Sequence, residues 1–288
     1  MQDTFRFQNW TITGSSIASD QTCLLVKELG ICFDMGYTFP DCVRKGSTVL
    51  ISHGHQDHIG SLHLHMRKRL RIGLPRATYV MPVVCKTPFT SVYSGVCALD
   101  EGTDTVTPLT VEQMDIIDSD SMGKLEVDGK KFIRSFEMVH RIPSRGYVVY
   151  EPRQRLQEKF RGMSSAQLKE HRKSQPHIGI NETVDVPLIC FSGDTTLVGV
   201  LAHPDMLQSK LLLLECTYIG SSPSVADAQN RGHIHLSEIL DNLHLFQNEH
   251  ILLVHVSPRY TIEQVAAEYA LLSEQQKARM SFLCLANK

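Results

Sequence analysis

The segment His53–His58, which reads His-Gly-His-Gln-Asp-His, constrains this chain more than any other feature of its sequence. It follows the apolar, β-branched run Thr48–Ser52, which predicts a buried strand with the segment at its C-terminal end. Three imidazoles and a carboxylate within six positions are the donor set expected for zinc, with manganese or iron as further options. Because these side chains alternate along the turn, they could serve two neighbouring metal ions. The alternative interpretation is a surface-exposed histidine-rich loop.

Three more residues of ligand type stand where predicted strands end, namely His140, Asp194 and His255. Open α/β sheets gather their sites where buried strands leave the core, so these positions favour a shared site. Each signal is weak by itself, since a strand-end Asp often caps a helix and a strand-end His is often a satisfied polar residue. Together with the first segment, they predict the remaining ligands of a dinuclear site.

The composition is that of an ordinary globular protein, with 42% hydrophobic and 21% charged residues in a chain of 288. The formal net charge of −2 gives no overall basic signature, so any nucleic-acid surface must be local. No apolar stretch approaches the length of a membrane span, and Met1–Trp10 does not resemble a signal peptide. We therefore expect a cytoplasmic or nuclear protein with no membrane association, and organelle import stays open. The eight cysteines form no Cys-x-x-Cys pair and predict reduced thiols.

Apolar strand-like runs alternate with helical patterns, which predicts a mixed α/β (α+β) sheet structure with helices outside. Two stretches differ from this pattern. Asp100–Asp120 contains seven acidic residues and no Lys or Arg, and predicts a partly irregular connection. Glu151–Lys173 contains seven basic and three acidic residues, and its pattern predicts a small helical hairpin. We interpret residues 151–186 as an insertion into a single domain that spans residues 1–288.

The order of the motifs, His-x-His-x-Asp-His followed by His, Asp and His, resembles the metallo-β-lactamase superfamily. This resemblance implies an αββα sandwich, here with a short inserted arm, that holds two zinc ions per chain at one edge. By motif matching, one zinc has the ligands His53, His55 and His140. The other has Asp57, His58 and His255, and Asp194 bridges the two ions. The resemblance also implies that Asp57 is one of the catalytic residues.

Two further elements indicate the branch of the superfamily. Glu215 ends an apolar strand-like run, and a loop carries His233 and His235. A carboxylate beside an imidazole raises the pKa of the imidazole, and the imidazolium can then protonate a leaving oxygen. Glu215-Cys216-Thr217 and His235-Leu236-Ser237 resemble signatures of ribonuclease Z, the endonuclease that removes 3′ trailers from precursor tRNA. The family implies Glu215 and His235 as the acid dyad, with His233 as a competing candidate.

The resemblance implies a zinc-dependent endoribonuclease in which a metal-bound hydroxide attacks the phosphodiester. It also implies a homodimer in which the arm, residues 151–186, holds precursor tRNA for the other subunit. The basic residues expected to contact this substrate are Arg153, Arg155, Lys159 and Arg161. The chain departs from the family at Phe33–Thr38, which lacks the usual Asp-x-Gly-Glu-Gly-Thr-Gln pattern.

Two alternatives stay open at this point. Another dinuclear-zinc hydrolase of the same fold could act on a small phosphodiester, thioester, lactone or sulfate ester. A non-catalytic RNA-binding or scaffold subunit could keep the fold, but such a subunit could lose a ligand without penalty, and all seven are present.

Overall fold

The computed structural model of this protein describes residues 2–99, 114, 116–175 and 177–287, and these form two seven-stranded sheets. Sheet 1 contains, in spatial order, β1 (Asp3–Phe7), β2 (Trp10–Ile17), β3 (Gln21–Val26), β4 (Ile31–Phe33), β5 (Thr48–Leu50), β6 (Thr78–Met81) and β7 (Ile116–Asp118). Sheet 2 contains, in spatial order, β14 (Met280–Phe282), β13 (His250–Val254), β12 (Leu211–Glu215), β11 (Asn181–Phe191), β10 (Ser144–Leu156), β9 (Lys131–Met138) and β8 (Leu125–Val127). In each sheet four consecutive strands are antiparallel and the other neighbours are parallel.

The two sheets pack face to face over a shared apolar core. Strand residues alternate between faces, so every second residue of each sheet points into this layer. The rings of Phe33 in β4 and Phe191 in β11 stack across it with their centroids 5.0 Å apart. Burial of this layer fixes the register of both sheets, because a shift by one residue would turn the apolar side chains outward.

Helices cover the outer faces of both sheets. Those packed on sheet 1 are α1 (Pro40–Lys45), α2 (Gln56–Ile59), α3 (Leu62–Arg71) and α4 (Val83–Leu99). Those packed on sheet 2 are α6 (Leu197–Leu201), α7 (Pro204–Gln208), α9 (Leu236–Asp241) and α10 (Ile262–Leu271). The remaining described α-helices are α5 (Ser165–Ser174), α8 (Val225–Asn230) and α11 (Glu274–Arg279). This order of layers confirms the predicted αββα sandwich of mixed α/β class. None of the described helices is both long and apolar enough to cross a bilayer.

The segment interpreted as an insertion extends the central hairpin of sheet 2. Strand β10 pairs with β9 only as far as Tyr150, and beyond this point β10 and β11 pair with each other from Glu151↔Val186 to Leu156↔Asn181. The prediction of a helical hairpin here was wrong, because the two strands continue as a ribbon, and α5 is the one α-helix among the residues described at its tip. Most of Asp100–Asp120 lies outside the described residues.

The parallel strands of both sheets end at the same edge, and the two sheets are tied together there. The hydroxyl of Tyr147 donates to the carbonyl of Ile51 at 2.6 Å, and the amide of Arg145 donates to the carbonyl of Ser52 at 2.9 Å. Gly193 adopts φ +61°, and a Cβ there would lie 2.8 Å from the Cβ of Ser52. A side chain at residue 193 would therefore push the strand ends of the two sheets apart.

Candidate metal centre

Four of the predicted ligands form one cluster at this edge. The side chains of His53, His55, His140 and Asp194 each offer a ligand atom, and these atoms lie within 4.8 Å of one another. His53 Nε2 lies 2.9 Å from His55 Nδ1, and His140 Nε2 lies 3.5 Å from the same atom. The turn after β5 and the segments that follow β9 and β11 thus supply one set of donors.

The remaining three predicted ligands, Asp57, His58 and His255, form a second cluster of the same kind. His58 Nε2 lies 3.1 Å from His255 Nε2 and 3.3 Å from Asp57 Oδ2. His255 reaches this position from a left-handed backbone conformation, φ 63°, directly after β13. Such a conformation is costly for a residue other than glycine and is common at functional sites.

Asp194 lies between the two clusters. Its Oδ2 is 3.6 Å from His53 Nε2 and 3.4 Å from His58 Nε2, and its Oδ1 is 3.4 Å from His255 Nε2. Burial alone would raise the pKa of this carboxyl, but the surrounding imidazoles His255, His58 and His53 outweigh burial and hold the pKa well below its usual value. Asp194 is therefore a carboxylate in the position that a ligand shared by two cations would occupy.

Asp34 fixes the orientation of two of the histidines. Its Oδ2 accepts a hydrogen bond from His58 Nδ1 at 2.7 Å and another from the hydroxyl of Ser52 at 2.9 Å. Because the Ser52 hydroxyl donates to Asp34, it accepts from His53 Nδ1, which lies 2.9 Å away. Nδ1 of both imidazoles therefore donates away from the site, and Nε2 faces it.

Two other histidines are oriented in the same way. His140 Nδ1 donates to the carbonyl of Gly232 at 2.8 Å, and His255 Nδ1 lies 3.0 Å from the hydroxyl of Thr217. That hydroxyl donates to Glu215 at 2.8 Å and so accepts from His255. Outer hydrogen bonds of this kind are typical of metal-binding histidines. Imidazole nitrogens and carboxylate oxygens that converge in a buried site are the donors that divalent metals such as zinc prefer, so these residues fit a divalent metal centre.

Sequence reasoning missed Asp34, Ser52 and Thr217 as parts of this site. Asp34 and Ser52 follow the adjacent parallel strands β4 and β5, so the rule that selected His140 and Asp194 could have found them. The departure from the family pattern at Phe33–Thr38 leaves this role of Asp34 intact. Residue 36 in the same segment must be glycine for steric reasons, because a Cβ there would lie 1.8 Å from the carbonyl oxygen of Asp57.

Glu215 pairs with His233 and not with His235. Glu215 Oε1 lies 2.9 Å from His233 Nδ1. Burial alone would lower the pKa of this imidazole, but Glu215 and Asp194 together raise it above its usual value. The predicted pairing of Glu215 with His235 was wrong, because His235 is the N-cap of α9 and its Nδ1 accepts from the amide of Ser237. His235 is 5% exposed, whereas the side chain of His233 is 12% exposed beside the metal ligands.

The four predicted substrate-binding residues lie on the projecting ribbon and its tip. Arg153 pairs with Glu151, Arg155 Nη2 lies 3.0 Å from Glu182, and Arg161 Nη1 lies 2.8 Å from Glu158. Lys159 lies over the ring of Phe160, with its Nζ 4.9 Å from the ring centroid. The three arginine side chains are about half exposed, so a partner can still reach them.

Three known proteins of similar sequence are all named tRNase Z or ribonuclease Z. No protein-family model matches the chain. The chain is 30% identical to tRNase Z TRZ1 of Arabidopsis thaliana over 279 residues, which cover 96% of this chain and 95% of that relative. It is 31% identical to the chloroplastic tRNase Z TRZ2 of the same plant, over 95% of this chain and 75% of that relative. A third relative, nuclear ribonuclease Z of Triticum aestivum, is 26% identical over 58% of this chain and 90% of its own length.

Solved structures support the fold. The short form of human tRNase Z (ELAC1) superposes with a TM-score of 0.55 and 16% identity, over 93% of both chains. The metallo-β-lactamase-fold protein YhfI of Bacillus subtilis gives a TM-score of 0.57 and 12% identity, over 93% of this chain and 92% of that one. At such identities these two likenesses concern the αββα architecture alone.

Proposed function

The chain belongs to the tRNase Z family, and on that basis we propose that it is a metal-dependent endoribonuclease that removes the 3′ trailer from precursor tRNA. The observation that carries this proposal is the convergence of all seven predicted ligands into two neighbouring clusters, with Asp194 between them. A hydrolase that acts on a phosphodiester needs both a nucleophile and a way to offset charge on the phosphoryl oxygens.

The metals of this centre are proposed to be two zinc ions. His53, His55 and His140 would hold one, Asp57, His58 and His255 the other, and Asp194 both. Imidazole nitrogen and carboxylate oxygen suit zinc, although they do not exclude manganese. When bound, the ions would supply a nucleophile near neutral pH and offset the negative charge that develops on the phosphoryl group.

The proposed proton donor is His233, in place of His235. Glu215 is 1% exposed and accepts from His233 Nδ1, which leaves the other ring nitrogen free to donate a proton. Since Glu215 raises the pKa of this imidazole, a larger fraction of it is protonated at neutral pH. The 3′ oxygen of the tRNA product is a poor leaving group as an alkoxide, so a proton delivered to it speeds cleavage.

The projecting ribbon, residues 151–186, is proposed to be an arm that binds tRNA within a chain that forms one domain, 1–288. Its basic side chains would contact phosphates and thus position the substrate without reading its sequence. The proposal includes a homodimer in which the arm of one subunit serves the metal centre of the other. The compartment, predicted as cytoplasmic or nuclear, stays a prediction, since one relative is named as chloroplastic and another as nuclear.

Activity on a panel of substrates tests this function against that of another hydrolase of the same fold. One preparation of the protein is assayed on a precursor tRNA with a 3′ trailer and on a small phosphodiester, a thioester, a lactone and a sulfate ester. We expect kcat/KM to be highest for the precursor tRNA. A higher value for one of the small esters, with no tRNA cleavage, would assign the centre to that ester.

A further inference from the structure

A cavity of about 330 Å³ adjoins the metal centre and has no role yet in the proposed reaction. One wall comes from the ligand-bearing turn, at Gly54 and Gln56, and another from Ile142, two residues after His140. The third wall is α4, which contributes Val84 and Val92. The cavity is thus bounded by both segments that carry ligands of the first cluster.

The lining of this cavity is mostly apolar. Among the described residues that line it, none is a carboxylate, lysine or arginine. Burial lowers the pKa of His63, so this imidazole is neutral at physiological pH, and burial raises the pKa of the Cys85 thiol to about 11. Val84 and Val92 are each 54% exposed. Exposed apolar side chains grouped in a concave site are typical of ligand-binding surfaces.

We propose that this cavity receives the nucleobase next to the scissile phosphodiester, an inference that rests on the proposed function. A phosphodiester held at the first cluster carries a nucleoside on each side, and the cavity is lined by Gly54, which stands between the ligand candidates His53 and His55. A base is flat, uncharged and largely apolar on its faces, which matches the valines and Phe89, while Gln56 and His63 offer polar atoms for its edge. The base belongs either to the last nucleotide of the tRNA or to the first nucleotide of the trailer.

Two neighbouring valines give a matched pair of variants. Val83 and Val84 both stand at the start of α4 and are 50% and 54% exposed, but only Val84 lines the cavity. Val84→Asp places a charge in the apolar site, and we expect kcat/KM on precursor tRNA to fall about tenfold or more. Val83→Asp should change it less than about twofold. Val92→Asp provides a second cavity variant from another turn of α4, and thermal melts and metal content check that all three variants fold.

Abasic substrates show which base is bound. One precursor lacks the base of the last tRNA nucleotide, and a second lacks the base of the first trailer nucleotide. We expect wild-type protein to cleave one of these at least about tenfold more slowly than intact precursor. Val84→Asp should lose no further activity on that same substrate, because the site it damages is already empty. The substrate that shows this behaviour identifies the source of the base.

Several outcomes would overturn the proposal. Equal activities of Val84→Asp and Val83→Asp would do so, as would full wild-type activity on both abasic substrates. A change from dimer to monomer in Val84→Asp alone, measured by light scattering, would assign the cavity to self-association instead. Failure of wild-type protein to cleave intact precursor would remove the proposed function itself, and the cavity assignment with it.

Discussion

His233 Nδ1 lies 2.9 Å from Oε1 of Glu215, and the other oxygen of the same carboxylate accepts from the hydroxyl of Thr217. That hydroxyl in turn orients the proposed metal ligand His255. One buried carboxylate thus positions the proposed proton donor directly and a metal ligand indirectly. The proton donor and the second ligand cluster are therefore held in one hydrogen-bonded unit.

Removal of the proposed proton donor should slow cleavage without loss of bound metal. His233→Ala should lower kcat on precursor tRNA by about two to four orders of magnitude, because the departing oxygen is no longer protonated. Metal content, measured by elemental analysis, should stay at the wild-type value. His235→Asn is the control, since Asn keeps the N-cap of α9. If His235→Asn were as slow as His233→Ala, the acid role could not be assigned from the pairing with Glu215.

Replacement of Asp34 should weaken metal binding. Its carboxylate orients His58 directly and His53 through Ser52, so Asp34→Asn disturbs ligands of both clusters. We expect the affinity for zinc to fall about 10- to 100-fold, measured by competition with a chromogenic chelator. Asp41→Asn is a control at a partly exposed carboxylate that pairs with Lys27. Unchanged affinity in Asp34→Asn would mean that the histidines are oriented without this carboxylate.

The sequence was sufficient to predict which seven ligand candidates come together but not which imidazole pairs with Glu215. All seven candidates lie at strand ends or in one six-residue turn, where chain order and the strand-end rule determine position. The choice between His233 and His235 depends on which imidazole becomes the N-cap of α9, and this is a local backbone feature that a motif does not encode. The ribbon was missed because the basic residues of Glu151–Lys173 give no strand periodicity, while cross-strand pairing with Asn181–Val186 decides its conformation.

A methyl group at Gly36 should destabilise the metal-binding turn. A Cβ there would lie 1.8 Å from the carbonyl oxygen of Asp57, so Gly36→Ala must displace backbone. We expect a loss of about 1–3 kcal/mol in the free energy of unfolding, together with weaker metal binding. Gly95→Ala is the control, since no described atom outside the backbone of its own helix lies within 4 Å of a Cβ there, and alanine favours a helix. Chemical denaturation of both variants measures the difference, and equal stabilities would contradict the close approach.

Neutralisation of the arm should weaken tRNA binding and its dependence on salt. Lys169 and Lys173 lie on α5, which buries none of its residues. In the double variant Lys169→Gln, Lys173→Gln, we plot the logarithm of the tRNA association constant against the logarithm of the salt concentration. The slope should fall in magnitude by up to about 0.9 for each phosphate that the variant no longer neutralises. Lys130→Gln with Lys277→Gln is a control of equal charge elsewhere on the surface. A salt slope equal to that of the control pair would show that α5 does not contact RNA.

Cleavage of a precursor tRNA with a 3′ trailer, with and without a chelator, is the most direct test of the account. Gel analysis and end mapping of the products are the readout. We predict a single cut just past the acceptor stem, a 3′-hydroxyl on the tRNA, loss of the cut on chelation and its return with zinc. Cleavage that persists without metal, or an intact precursor in the presence of zinc, would contradict the assignment of the seven-ligand centre to tRNA 3′ processing.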